Sequence, residues 1–177
     1  MRIENLAHVL RAARAITGEA VFVLVGSQAV LAQFPDAPDD LVHSMEIDLY
    51  PRDNPDMSEV IEGALGQSSA FHGAFGYHAD GIGPETASLP PGWEERAVTL
   101  KGHPLLEGAV GVAPEIHDLC ASKLAAFRPK DTAWVEAAIR CRLADPDRIL
   151  GLVETMGAPG HVTSWISARA SGDRCEP

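Results

Sequence analysis

Residues 22–34, FVLVGSQAVLAQF, constrain the fold more than any other stretch. A short β-branched run ends in Gly26-Ser27, and an apolar helical pattern restarts at once with no linker. Such a run of four to eight apolar residues reads as a buried strand. A strand that turns directly into a helix belongs to a layered α/β arrangement. The Gly-Ser break has two physical readings. A small residue allows a tight turn for packing alone. The same turn also points bare backbone N–H groups, at the positive end of a helix, toward a phosphate.

The second informative stretch is MEIDLY, residues 45–50. Met45, Ile47 and Leu49 alternate with Glu46, Asp48 and Tyr50, so a half-buried strand carries both acids on one face. Two unpaired carboxylates at that spacing repel each other. A divalent cation between them removes the repulsion, and Mg²⁺ prefers hard oxygen ligands. A solvated strand face is the alternative reading of the same pattern. If strand, turn and acid pair are neighbours, the turn faces phosphates and the acids hold the ion that bridges them.

The remaining pattern is of strands with interspersed helices, then a helical tail. An amphipathic helix is expected over 3–16, with Ile3, Leu6, Leu10 and Ala13 on one face. Helices are also expected over 27–34, from 55 to about 66, over 115–127, and over 132–144 with Asp131 as its cap; Pro146 opens another. Further strands are expected at 96–100 and 109–113, PDAPDD reads as a loop, and SARASGDRCEP as a frayed end. Residues 67–95, rich in Gly, Pro, Ser and His, read as long turns with one or two short strands. The expected fold is α/β (α+β): a mixed sheet flanked by helices, with residues 1–112 as core and 113–170 as a helical segment packed on it in one compact unit.

Composition narrows the function. With 177 residues, 46% of them hydrophobic, the chain can bury a core. No apolar run approaches the roughly 20 residues of a membrane span, and the N-terminus has no signal-peptide core, so a cytoplasmic location is expected. Three cysteines without a CxxC pair argue against a disulfide framework or zinc ribbon. A net charge of −11 disfavours a broad nucleic-acid surface. Yet Lys123, Arg128, Lys130, Arg140 and Arg142 are five of only fourteen basic residues. They are either a solvated helix face or a site for one anionic ligand such as a triphosphate.

VGSQAV and SMEIDLY together resemble the signature of the DNA polymerase beta-like nucleotidyltransferase superfamily: Gly-Gly or Gly-Ser after a hydrophobic residue, then acid-hydrophobic-acid-hydrophobic, with Ser44 at a position where Ser or Thr is frequent. HDLCASKLAAFRPKDTAWVEAAI resembles the helical segment of abortive-infection-toxin-type and related bacterial members, and DGIGPETASLPPGWEERAV their middle. The resemblance spans roughly residues 20–142. It implies a nucleotidyltransferase-like fold in which Gly26, Ser27, Lys123 and Lys130 hold the triphosphate and Glu46 and Asp48 bind Mg²⁺ or Mn²⁺. Lys123 would neutralise phosphate charge, and Asp131 would orient basic groups or the acceptor. The implied reaction moves a nucleoside monophosphate from a nucleoside triphosphate to an RNA end or a partner protein, in a toxin–antitoxin setting. A catalytically degenerate binding or antitoxin module is the alternative.

The chain departs from the pattern in a long spacer before Glu46, in Glu for the commoner first Asp, and in Val42 where Arg is frequent. Asp80 is the candidate third metal carboxylate; a turn Asp before Gly81 is its competing role. His72, His78 and Asp80 invite a metal-hydrolase reading, but no HxH or HxxxH spacing supports it. Cys120, with His117 one turn away, reads as a small buried residue rather than a nucleophile. Trp93, Trp134 and Trp165 read as core or interface.

Overall fold

The computed structural model describes residues 1–171. Five strands form one mixed sheet: β1 (Val21–Val25), β2 (Glu46–Pro51), β3 (His78–Gly81), β4 (Val98–Leu100) and β5 (Val110–Ala113), in the order β3-β2-β1-β5-β4. β1 pairs antiparallel with β2 and parallel with β5, β2 pairs parallel with β3, and β4 antiparallel with β5. The helices are α1 (Ile3–Thr17), α2 (Asp39–Val42), α3 (Ser58–Leu65), α4 (Ala70–Phe75), α5 (Trp93–Arg96), α6 (Ile116–Ala126), α7 (Pro129–Arg140), α8 (Pro146–Thr155) and α9 (Gly160–Ser171). The mixed sheet with flanking helices is the expected fold class. No helix among the described residues is long and apolar enough to cross a membrane.

Strand alternation gives the sheet two unlike faces. Phe22, Leu24, Ile47, Leu49 and Ala79 point to one side and are fully buried with Leu6, Leu10 and Ala13 of α1 and Ile61 of α3. Each such large side chain contributes about 2 kcal/mol by leaving water. Gly111 of β5 lies directly beneath Leu10 and Leu24, and a Cβ there would meet both leucine methyls. The same apolar cluster continues through Leu119, Leu124, Val135, Ile149 and Ile166 of the later helices. The opposite face carries Val23, Val25 and Tyr50, packed against Ile82, Ala87, Leu89 and Trp93.

Several sequence expectations need correction. Residues 27–32 form a 3₁₀ helix rather than an α-helix, with Gln28, Ala29, Val30 and Leu31 buried. PDAPDD is not entirely loop: Asp39 and Asp40 begin α2, which drives Leu41 and Val42 into the core. Asp131 does not cap α7. Arg128 is the N-cap residue, Pro129 takes the first helical position, and Asp131 lies in the first turn. Of the supposed frayed end, residues 167–171 belong to α9, while 172–177, with Cys175, lie outside the described residues.

Trp134 is buried and donates from Nε1 to the Leu41 carbonyl at 2.9 Å, tying α7 to α2. Trp93 packs on the second sheet face, and Trp165 packs against the main core with Arg169 stacked on its ring. Cys120 is fully buried, which pushes its thiol up, and both ring nitrogens of His117 are engaged, by Glu115 and by the Asp145 amide. Neither is available as a nucleophile–base pair.

Arg96 closes the long segment after β3 by pairing with Asp118 of α6 at 2.6 Å. Asp118 is completely buried, whereas the Arg96 side chain is 35% exposed. Arg96→Met should lower the unfolding free energy by about 3 kcal/mol, because it leaves a buried charge unpaired. Urea denaturation checks this, and a variant as stable as the parent would contradict it. Adding Asp118→Leu should restore most of the loss.

Candidate active site

The parallel register of β2 and β3 sets Glu46 beside His78 and Asp48 beside Asp80. Alternation sends all four side chains to the same sheet face. Ligand atoms of Glu46, His78 and Asp80 lie within 4.8 Å of one another, and His78 Nε2 is 3.2 Å from Asp80 Oδ1. Asp80 is therefore a strand residue with its carboxylate beside Glu46, not a turn aspartate. His72 does not join the carboxylates; its ring lies on that of His78, with centroids 4.7 Å apart.

Asp48 turns the other way along β2, toward the end of β1. Val25 and Asp48 are cross-strand partners, and Gly26 follows immediately with φ 67°. A Cβ on Gly26 would lie 1.8 Å from Asp48 Oδ2. The glycine is thus required twice, by its left-handed backbone and by a carboxylate resting on its Cα. The next residue, Ser27, accepts a hydrogen bond from Lys123 Nζ at 3.0 Å.

Lys123 comes from α6 and faces the acids from the opposite wall. It is only 9% exposed, with Nζ 3.8 Å from Asp131 Oδ1 and 4.8 Å from the centroid of the Trp134 ring. Asp131 is buried and receives the Arg128 guanidinium at 2.5 Å. It positions two cations, one buried and one exposed. Lys130 is exposed at the rim.

Gly26, Ser27, Glu46, Asp48, Asp80, Lys123, Lys130 and Asp131 all line one cavity of about 410 Å³. A second cavity of about 530 Å³ adjoins it, sharing Ser27, Glu46, Lys130 and Asp131, with Asp40, His43, Trp134 and Arg140 on its far side. The basic cluster is divided: Lys123, Arg128 and Lys130 reach the first cavity, and Arg140 pairs with Asp40 in the second. Thr86, Ala87 and Ser88 also line the first cavity. They sit in an aperiodic stretch, and only the paired hydroxyls of Thr86 and Ser88 would have hinted at them. His78 was legible in principle, because H-A-D repeats the spacing of E-I-D.

The charges are mutually strained. Burial first, then the Glu46 and Asp80 charges, push Asp48 up to about 6, against the pull of Lys123 and Lys130. Burial also raises Asp80, with His78 opposing and Glu46 and Glu62 adding. Burial lowers Lys123, while Asp131 and Asp48 act to raise it. A hard oxygen donor set that is short of positive charge fits a divalent cation. Glu46 and Asp80 bring such oxygens within 4.8 Å of each other here, and Asp48 lies close enough to feel both charges.

Asp48 holds its proton more tightly in the folded chain than in the unfolded one. It therefore withdraws stability as pH rises from its ordinary 3.8 to about 6, and the loss persists above. In chelator-treated buffer at pH 7.5, Asp48→Asn should be more stable than the parent by on the order of 2 kcal/mol, with the difference vanishing near pH 4. Parallel pH–stability profiles for the two proteins would contradict this.

Residues 4–157 match the model of DUF6036, described as a nucleotidyltransferase of unknown function. No curated protein and no solved structure matched the chain. The matched span covers most of the sequence and holds every residue placed around the first cavity. On that match the chain belongs to the DUF6036 family of nucleotidyltransferases.

Proposed function

We propose that the chain is a divalent-metal-dependent nucleotidyltransferase of the DNA polymerase beta-like kind, which moves a nucleoside monophosphate from a nucleoside triphosphate to an RNA end or a partner protein. The observation that carries this reading is one cavity with carboxylates on its sheet wall and Lys123, Arg128 and Lys130 on its helical wall. Phosphoryl-type transfer needs positioning and charge stabilisation more than covalent chemistry from the protein. Residues 1–112 supply Gly26, Ser27 and the acids; the helical segment 113–170 supplies the cations.

In this reading the Gly26-Ser27 turn and Lys123 hold the triphosphate, with Lys130 at the rim. Glu46, Asp48 and Asp80 would hold Mg²⁺ or Mn²⁺, which would supply positive charge against the phosphates. The acceptor hydroxyl attacks the α-phosphorus from the side of the second cavity. Its proton passes to a carboxylate of the sheet face. The bond from the α-phosphorus to the bridging oxygen breaks, and pyrophosphate leaves with the electron pair. Asp131 keeps Arg128 and Lys123 in place. Nucleoside triphosphates are drawn from the cytoplasm, and a toxin–antitoxin pair is the setting that the toxin-like helical segment suggests.

A degenerate binding module is the second reading, favoured by one observation: Lys123 Nζ is already engaged by Ser27 and Asp131. Thermal melts with each nucleoside triphosphate, without metal and with Mg²⁺ or Mn²⁺, separate the possibilities. A ligand at about 100 times its Kd adds about 2.7 kcal/mol, a readable shift in Tm. The shift should require a divalent ion, Mg²⁺ or Mn²⁺, name the preferred base, and disappear in Glu46→Ala/Asp48→Ala. No shift with any nucleotide would refute the transferase reading. Radioactive label then appears on RNA for a toxin or on protein for an antitoxin, and a protein that binds nucleotide but labels neither is the binding module.

A further inference from the structure

His78 is the one member of the sheet-face cluster that transfer chemistry, as set out above, does not use. Its side chain is 7% exposed and faces Asp80 Oδ1 with Nε2 at 3.2 Å. The ring of His72 packs against it from outside, tilted by 43° with centroids 4.7 Å apart, and is itself held to the Gln67 carbonyl. Its Nδ1 is buried without a hydrogen-bond partner. The imidazole is therefore held in place by packing, by strand register and by the pairing of Nε2 with Asp80, its one engaged nitrogen.

The strand register makes this position as regular as those of the acids. Glu46 and His78 are direct cross-strand partners, so their Cβ atoms stand about 5 Å apart and lean the same way. Asp80, two residues along β3, completes a triangle whose ligand atoms all lie within 4.8 Å of one another. Asp48 is not part of that triangle, because its carboxylate rests on Gly26. One nitrogen and two carboxylates form a donor set different from an all-oxygen one. Imidazole adds affinity for Mn²⁺, Co²⁺ or Zn²⁺ but little for Mg²⁺, which favours oxygen and keeps its water.

We propose that His78 is a direct ligand of an ion held between Glu46 and Asp80, and that this site selects a first-row transition ion such as Mn²⁺ over Mg²⁺. The inference rests on the metal-dependent reading of the cavity and specifies its ion.

The test uses the full chain, stripped of metal by chelator and titrated with Mn²⁺. Electron paramagnetic resonance counts the free ion, and electron spin-echo modulation detects nitrogen bound to Mn²⁺. The expected result is bound Mn²⁺ with nitrogen coupling in the parent protein. His78→Gln should abolish the coupling and weaken Mn²⁺ binding ~10-fold or more, with Mg²⁺ binding much less affected. Nitrogen coupling that persists in His78→Gln would overturn the assignment. Mn²⁺ bound by the parent with oxygen coupling alone would overturn it too, and leave the transferase reading intact. No bound Mn²⁺, even with nucleoside triphosphate present, would overturn both. The parent spectrum decides the question by itself if the variant fails to fold.

Discussion

The carboxylate of Asp48 resting on the Cα of Gly26 is the contact around which the cavity is organised. It brings the end of β1 against the acid-bearing face of β2 and leaves no room for a side chain at the junction. It also holds a negative group in a largely buried place beside Glu46 and Asp80, which is unfavourable without added positive charge. Lys123 supplies part of that charge from α6, by way of Ser27. The fold thus carries a local electrostatic deficit, a common property of sites built to bind something charged.

The two walls differ in how they are made. The sheet wall is set by register: once β2 and β3 pair in parallel, four chemically active side chains share a face. The helical wall is set by packing. Trp134 fixes α7 against α2, lies beneath the ammonium of Lys123, and leaves Asp131 buried between two cations. A lysine that is nearly inaccessible loses little conformational freedom when a ligand arrives, which is a form of preorganisation.

The parts legible in the sequence were those with local physical rules. Alternation placed Glu46 and Asp48 on one face without any knowledge of the partner strands. The break at Gly26 was legible as a break, but its cause was not, because the atom it avoids belongs to Asp48, distant in sequence. β3, expected only as a short strand somewhere in 67–95, could not be placed for a related reason. It has only four residues between glycine-containing turns, and it is a strand only because β2 offers an edge. Asp80 and His78 consequently read as loop residues. Asp131 was misread as a cap because Asp often caps helices; the Arg128–Pro129 junction had already supplied the helix start. The 3₁₀ turn was missed because apolar periodicity over so short a run does not separate one helix type from another.

The short helix α2 has a consequence for how the second cavity responds to its surroundings. Its wall is joined to α7 by two contacts of different kinds: the exposed ion pair Asp40–Arg140 and the buried bond from Trp134 to the Leu41 carbonyl. Salt screens the first and hardly touches the second. Rising ionic strength therefore loosens the ion pair while the buried bond keeps α2 against α7. The wall of this cavity accordingly keeps its shape across a range of salt in which its surface charges are progressively screened.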